Sequence, residues 1–220
     1  QAVPNLKNML KVRNEIELPP LGPGWAGAVM GLGISSSLID AHLSPTLGHL
    51  PAEIMLGVAT LVALALSISF IKYRKPGFNA KAMPAWGMVS MGILALGSAY
   101  SLILDAWLIH TVCWAIGGAL SVITCIKYLK FLILERPDSP AFTWGLPLVA
   151  PMVTATSSAQ LAPHAGEWGW IVHGIGVFCF FLALVTGLPM FVLVYRRTFP
   201  TVPTSLSLIH ISEPTRPLYI

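Results

Sequence analysis

Few residues in this chain are placed to do chemistry on a substrate. Its 220 residues include 6 His, 3 Cys and 9 Asp or Glu, and they are scattered. Cys113, Cys125 and Cys179 fall singly inside apolar runs, with no CxxC or CxxH spacing, and read as small buried residues. No GxSxG, HExxH, P-loop or paired-carboxylate arrangement occurs, so nothing points to a nucleophile, a metal ion or a phosphate cradle. His110 and His173 lie in two different apolar runs, and two histidines on separate helices can ligate a haem. No second pair or spacing motif supports that, and packing or interfacial histidines are the simpler reading. The residue types therefore predict no catalytic residue, no metal site and no cofactor.

A different pattern is present. Gly24, Gly27, Gly31 and Ser35 recur three or four residues apart in one apolar run. Gly87, Ser90, Gly97 and Ser101, with Leu94 between them, do so in another, and Pro147, Pro151, Thr154 and Ser158 in a third. Each set forms one stripe of a 3.6-residue helix. Small residues let helices approach closely in lipid, and Gly27-x-x-x-Gly31 has that spacing. The same residues suit the wall of a pore: glycines keep a lumen open, hydroxyls offer donors to an anion, and prolines free backbone groups that need protein or water to satisfy them. The candidate pore-lining residues are Gly27, Gly31, Ser35, Gly87, Ser90, Gly97, Pro147, Pro151, Thr154 and Ser158. No acidic or basic residue lies mid-run in these three segments, which argues against a cation-coupled pump and suits a neutral passage.

The elements that position these stripes follow from composition. The chain is 55% hydrophobic and 10% charged, against about 25% charged in a soluble domain. Its apolar runs reach the roughly 20 residues that a helix needs to cross a bilayer. Six spans are expected, at about 23–42, 50–72, 84–104, 106–130, 142–162 and 168–195. The stripes lie on the first, third and fifth; the second and fourth are richer in Leu, Ile, Val and Ala. Residues 1–21 are expected to be a cytoplasmic leader, either a short interfacial helix in which Leu6, Met9 and Leu10 alternate with Lys7, Lys11 and Arg13 or a disordered segment.

The formal net charge is +4, but the cations form no continuous patch and predict no nucleic-acid partner. They cluster before span one, between spans two and three (Lys72, Arg74, Lys75, Lys81), between four and five (Lys127, Lys130, Arg136), and after six (Arg196, Arg197). Six crossings put all of these on one side, so a cytoplasmic N-terminus is expected. The outer connections are short, which groups the spans into three helical hairpins.

The run Pro23-Gly24-Trp25-Ala26-Gly27-Ala28-Val29-Met30-Gly31-Leu32-Gly33 resembles the opening helix of the tellurite-resistance/dicarboxylate transporter family, which includes TehA proteins, slow anion channels, malate permeases and sulfite exporters. Trp86-Gly87-Met88 with Met91-Gly92 resembles its third helix, and Trp144 through Val153 its fifth. The resemblance covers about residues 20–200. It implies ten helices in five hairpins, odd helices around a central pore, cytoplasmic termini, a homotrimer in the plasma (inner) membrane, and small anions as the transported species. It also implies a phenylalanine gate on a ninth helix, to which no residue here corresponds.

Leu206 through Arg216 read as the translation of a transposase-type sequencing adapter, so residues 201–220 are expected to be a non-native tail, and a native N-terminus is expected upstream of Gln1. The resulting expectation is an all-α polytopic membrane protein holding three of five hairpins of an anion channel or exporter. The alternatives are a proton-coupled dicarboxylate or sulfite carrier and a non-catalytic or haem-binding subunit of a membrane complex.

Overall fold

The structure, a computed structural model, describes residues 22–74, 77–135 and 142–198. Among them all regular structure is helical: α1 Ala26–Leu47, α2 Leu50–Tyr73, α3 Met83–Leu104, α4 Trp107–Glu135, α5 Gly145–Leu161 and α6 Gly169–Thr198. The leader at 1–21 and the tail from 201, with the expectations attached to them, lie outside the described residues.

Local chemistry sets the helix ends. α1 continues past residue 42, carries Pro45 and stops at Gly48, whose φ of 73° suits a residue without a Cβ; its N–H donates to the Ser44 carbonyl at 3.0 Å. α2 and α3 end on Arg74 and Asp105, both left-handed, at φ 48° and 54°. Gly48–His49 and Asp105–Ala106 are the whole of two connections, too short for anything but antiparallel neighbours. Each of α1, α3 and α5 is entered through a 3-10 turn, at Pro23–Trp25, Ala80–Ala82 and Phe142–Trp144.

Five helices, α1 to α4 and α6, are long and apolar enough to cross a membrane. α5 is shorter: its 17 residues reach about 26 Å at 1.5 Å per residue, against about 30 Å of hydrocarbon. The 3-10 turns at Phe142–Trp144 and Ala162–His164 continue it at both ends and make up the difference.

α1 packs on α2, α3 on α4 and α5 on α6, which gives the three hairpins. The hairpins are joined through α1 on α3, α3 on α5, and α4 on α5. α3 is therefore the shared inner helix. Half of its apolar window is buried, against 22–28% in the other four long spans. The even helices turn their large side chains outward: Leu61 and Ile71 on α2, Leu108 on α4 and Val185 on α6 are each at least 67% exposed. Lipid is the solvent that suits such a surface.

Glycine makes the close contacts of α3 possible. A Cβ on Gly87 would lie 2.9 Å from the Pro147 Cα of α5, and one on Gly92 3.1 Å from the Ala26 carbonyl oxygen of α1. A Cβ on Gly97 would overlap the Cys113 Cβ of α4. From the α1 side, Gly33 meets the Ala95 backbone at 3.2 Å. The contrast with Gly31, which has nothing within 4 Å of a built Cβ, is directly testable. Gly87→Ala and Gly97→Ala should each lower stability by about 1–3 kcal/mol through overpacking, whereas Gly31→Ala should be neutral or stabilising by about 0.5–1 kcal/mol through helix propensity. Thermal unfolding of the purified protein in detergent reads the difference.

Candidate functional site

The ten candidate wall residues divide into two environments. On α1, Gly27, Gly31 and Ser35 are exposed along one face. The opposite face of α1, with Ala26, Val29, Gly33 and Ser36, is the buried one. On α3 and α5 the remaining seven, Gly87, Ser90, Gly97, Pro147, Pro151, Thr154 and Ser158, are all buried. Several of them meet the next helix directly. Thr154 touches Ser121 of α4, Ser158 touches Trp114 of α4, and Gly87 sits on the Pro147 backbone.

The buried hydroxyls use their hydrogens locally. Ser36 donates to the Gly33 carbonyl, Ser90 to Gly87 and Ser121 to Gly118, each at 2.7 Å, and Ser158 donates to Thr154 at 2.8 Å. A hydroxyl carries one hydrogen, so each retains only acceptor capacity. That capacity ties helices together. The Trp114 indole N–H donates to Ser158 Oγ at 2.7 Å, and the Ser121 and Thr154 hydroxyls meet at 2.7 Å. With Ser121 Oγ committed to Gly118, Thr154 is the donor of that pair. These groups are spent on the bundle itself and hold no free hydrogen for a passing anion.

His110 is the centre of this polar seam. Its ring is fully buried between α3 and α5. Nδ1 lies 2.8 Å from Ser101 Oγ of α3, and Nε2 lies 2.8 Å from Ser157 Oγ of α5. Ser101 gives its hydrogen to the Ser98 carbonyl at 2.9 Å and is left to accept from Nδ1–H. Nε2 then accepts from the Ser157 hydroxyl, which makes His110 a neutral imidazole joining three helices. Trp107 stacks near His110 at 5.9 Å between centroids and against His164 at 3.4 Å, closing the seam at that end of the bundle.

His173 is elsewhere. It is exposed on α6 and lines a crevice with Thr156, Ala159, Val177 and Phe180. The two histidines considered as haem ligands therefore do not converge, and both ring nitrogens of His110 are already engaged. Among the described residues no group of three or more His, Cys, Asp or Glu is arranged to hold a metal ion.

The sequence reading missed Trp114, Ser121 and Ser157. A signal for the α4 residues was present: His110, Trp114, Gly117, Ser121, Thr124 and Tyr128 recur at three- or four-residue spacing, the same stripe pattern read on the odd helices. If the seam holds α4 to α5, the His110–Ser157 pair should be energetically coupled. A double-mutant cycle of His110→Ala and Ser157→Ala should give about 0.5–1.5 kcal/mol of coupling in a reversible unfolding assay in detergent. The single His110→Ala variant should lose about 1–3 kcal/mol, because it strands two buried serines.

Comparison with known proteins bears on what this bundle belongs to. The chain matches SLAC1, the voltage-dependent anion channel family, over residues 20–209. It is 27% identical over 161 residues to the sulfite efflux pump SSU1 of Trichophyton rubrum, an alignment that covers 64% of this chain and 42% of the fungal protein. The chain thus spans less than half the length of that curated relative. No solved structure matches. The match runs through all six helices, including the α1 stripe and the α3–α5 contact, and the chain belongs to the voltage-dependent anion channel family.

Proposed function

We propose that the chain forms part of an anion channel or exporter in which small inorganic or organic anions pass beside the odd-numbered helices. One observation carries this reading. Within a member of an anion-channel family, α1 presents Gly27, Gly31 and Ser35 on an exposed face, while Leu, Ile and Val cover the outward faces of the even helices. The α1 face also carries Ile34 and Leu38, 43% and 53% exposed, but its two glycines and its serine present backbone and a hydroxyl that gain nothing from lipid and suit a water-filled path. In this reading the ten stripe residues serve the pathway in two ways. Gly27, Gly31 and Ser35 form wall, and the seven on α3 and α5 bring the helices behind that wall close enough to hold it.

The proposal extends to the setting. Lys72, Arg74 and Lys81 lie at the same end as Lys127 and Lys130, and this belt raises the local anion concentration at the pathway mouth. We assign that end to the cytoplasm and the bilayer to the plasma (inner) membrane. A homotrimer with one path per subunit is the assembly that the resemblance implies.

A second reading has its own support: the fungal relative is named a sulfite efflux pump, which favours a carrier for sulfite or a dicarboxylate over a channel. A stoichiometric proton flux accompanying anion flux would identify the carrier.

In proteoliposomes, chloride, nitrate and sulfite fluxes should be measured for the protein and for Gly31→Trp. Filling the open face should cut flux at least about tenfold, in line with the steric control that pore diameter exerts, while Val185→Trp on the outward face of α6 should leave it unchanged. Flux that is indifferent to Gly31→Trp would refute the wall assignment. Orientation has a separate test on a background with Cys113, Cys125 and Cys179 replaced by Ala. Gly166 has φ 55°, so the exposed neighbour Glu167 is the better site for a label. Glu167→Cys should react with an impermeant thiol reagent from outside the cell, and Gly77→Cys should not.

A further inference from the structure

Between α1, α2 and α3 lies an apolar crevice of about 140 Å3, lined by Val29, Ala63, Leu66, Phe70, Trp86 and Ile93, among others. It does not belong to the anion path. It opens on the far side of α1 from Gly31, beside the outward-facing Leu64 and Ile68 of α2. Ser67, a polar residue on its wall, is already bonded to the Ala63 carbonyl at 2.8 Å. Along α3 the lining runs from Trp86 to Leu96, about 15 Å at 1.5 Å per residue. That is half of the roughly 30 Å hydrocarbon core, the depth of one leaflet.

The mouth of this crevice is chemically distinct. Phe70 and Phe78 both meet Trp86 edge-on, at 5.1 and 5.2 Å between centroids. The Trp86 indole donates to the Gly77 carbonyl at 3.3 Å, which holds Gly77 beside the opening. That connection brings cations. Lys72 is in the last turn of α2, Arg74 caps it, and Lys81 lies in the turn that enters α3. All three are exposed, and among the described residues none is in an ion pair. No acidic residue occurs between positions 54 and 104 of the sequence.

We propose that this crevice binds an anionic glycerophospholipid, one acyl chain lying along the open groove, partly seated between α1, α2 and α3 and partly facing bulk lipid, with the phosphate resting on Lys72, Arg74 and Lys81. The aromatic collar marks the headgroup boundary, where amphipathic rings sit in membrane proteins. The apolar slot takes the chain, and the exposed cations take the charge. A zwitterionic lipid would satisfy the slot but not the cations, which makes the site selective for net negative headgroups.

Native mass spectrometry of the detergent-purified protein, titrated with dioleoyl-phosphatidylglycerol or dioleoyl-phosphatidylcholine, tests this. The phosphatidylglycerol adduct should appear at a concentration at least about tenfold lower than the phosphatidylcholine adduct. Binding should weaken by about fivefold for each cation removed along the series Lys72→Gln, Arg74→Gln, Lys81→Gln. These are exposed positions, so the series reads binding without risking the fold. Ala63→Trp, which fills the slot, should abolish the selective adduct while the charges stay in place. Equal retention of the two lipids by the unaltered protein would overturn the proposal. So would a selective adduct that survives the triple charge substitution. An Ala63→Trp variant that dissociates an oligomer and leaves the lipid adducts unchanged would show that a second copy of the chain covers the crevice, and would also overturn it.

Discussion

The fold depends on how closely α3 approaches its neighbours. Lipid tails are as apolar as leucine, so no hydrophobic force drives helices together inside a membrane; association comes from van der Waals contact and interhelical hydrogen bonds. Both require small residues at the crossing. α3 supplies Gly87 against α5, Gly92 against α1 and Gly97 against α4, three contacts to three different helices along one 22-residue element. Gly87 is placed where any side chain would meet the Pro147 backbone. Once α3 is held on all sides, α1 and α5 have no choice but to lie beside it, and the even helices are left to face lipid.

The hydrogen-bond seam works within that frame. Ser101, Ser121 and Ser158 donate to carbonyls one turn back and accept across helices, whereas Thr154 and Ser157 donate across helices directly. This pairing is how so many polar side chains are buried in an apolar bundle: Ser121, Thr124, Thr154, Ser157 and Ser158 are each at most 2% exposed, and each has a partner. It also separates two uses of polar residues that a helical stripe merges. His110, Ser101 and Ser157 form a clamp between three helices. Ser35 on α1 stands on an exposed face outside that network.

Much of the architecture was legible in the sequence, for a reason specific to membranes. A chain that must satisfy its backbone internally declares its helices as apolar runs. The hairpin pairing was legible because Gly48–His49 and Asp105–Ala106 leave so little chain for any other topology. Helix ends were less so. α1 continues through Pro45 to Leu47 and α4 runs past Lys130 to Glu135, since a proline or a snorkelling lysine near a bilayer surface need not end a helix. The environment of each stripe was not legible. Periodicity says that Gly27 and Gly31 share a face, and that Thr154 and Ser158 do, but not what the face meets; only the packing puts the first pair in the open and the second against α4. His110 stood out as a polar residue in an apolar run. Its partner Ser157 is 47 residues away in sequence, and nothing local links the two.

The proposed path depends on the division between the open stripe of α1 and the buried stripes of α3 and α5. Cysteine accessibility measures that division directly. Single cysteines at Gly27, Gly31, Ser35, Ser90, Thr154 and Ser158, on a background lacking Cys113, Cys125 and Cys179, would be exposed in reconstituted membranes to a small charged thiol reagent. The three α1 positions should react, more slowly in the presence of a permeant anion, and the other three should not. Reaction at Ser90 and Thr154 with silence at Gly31 would contradict that division.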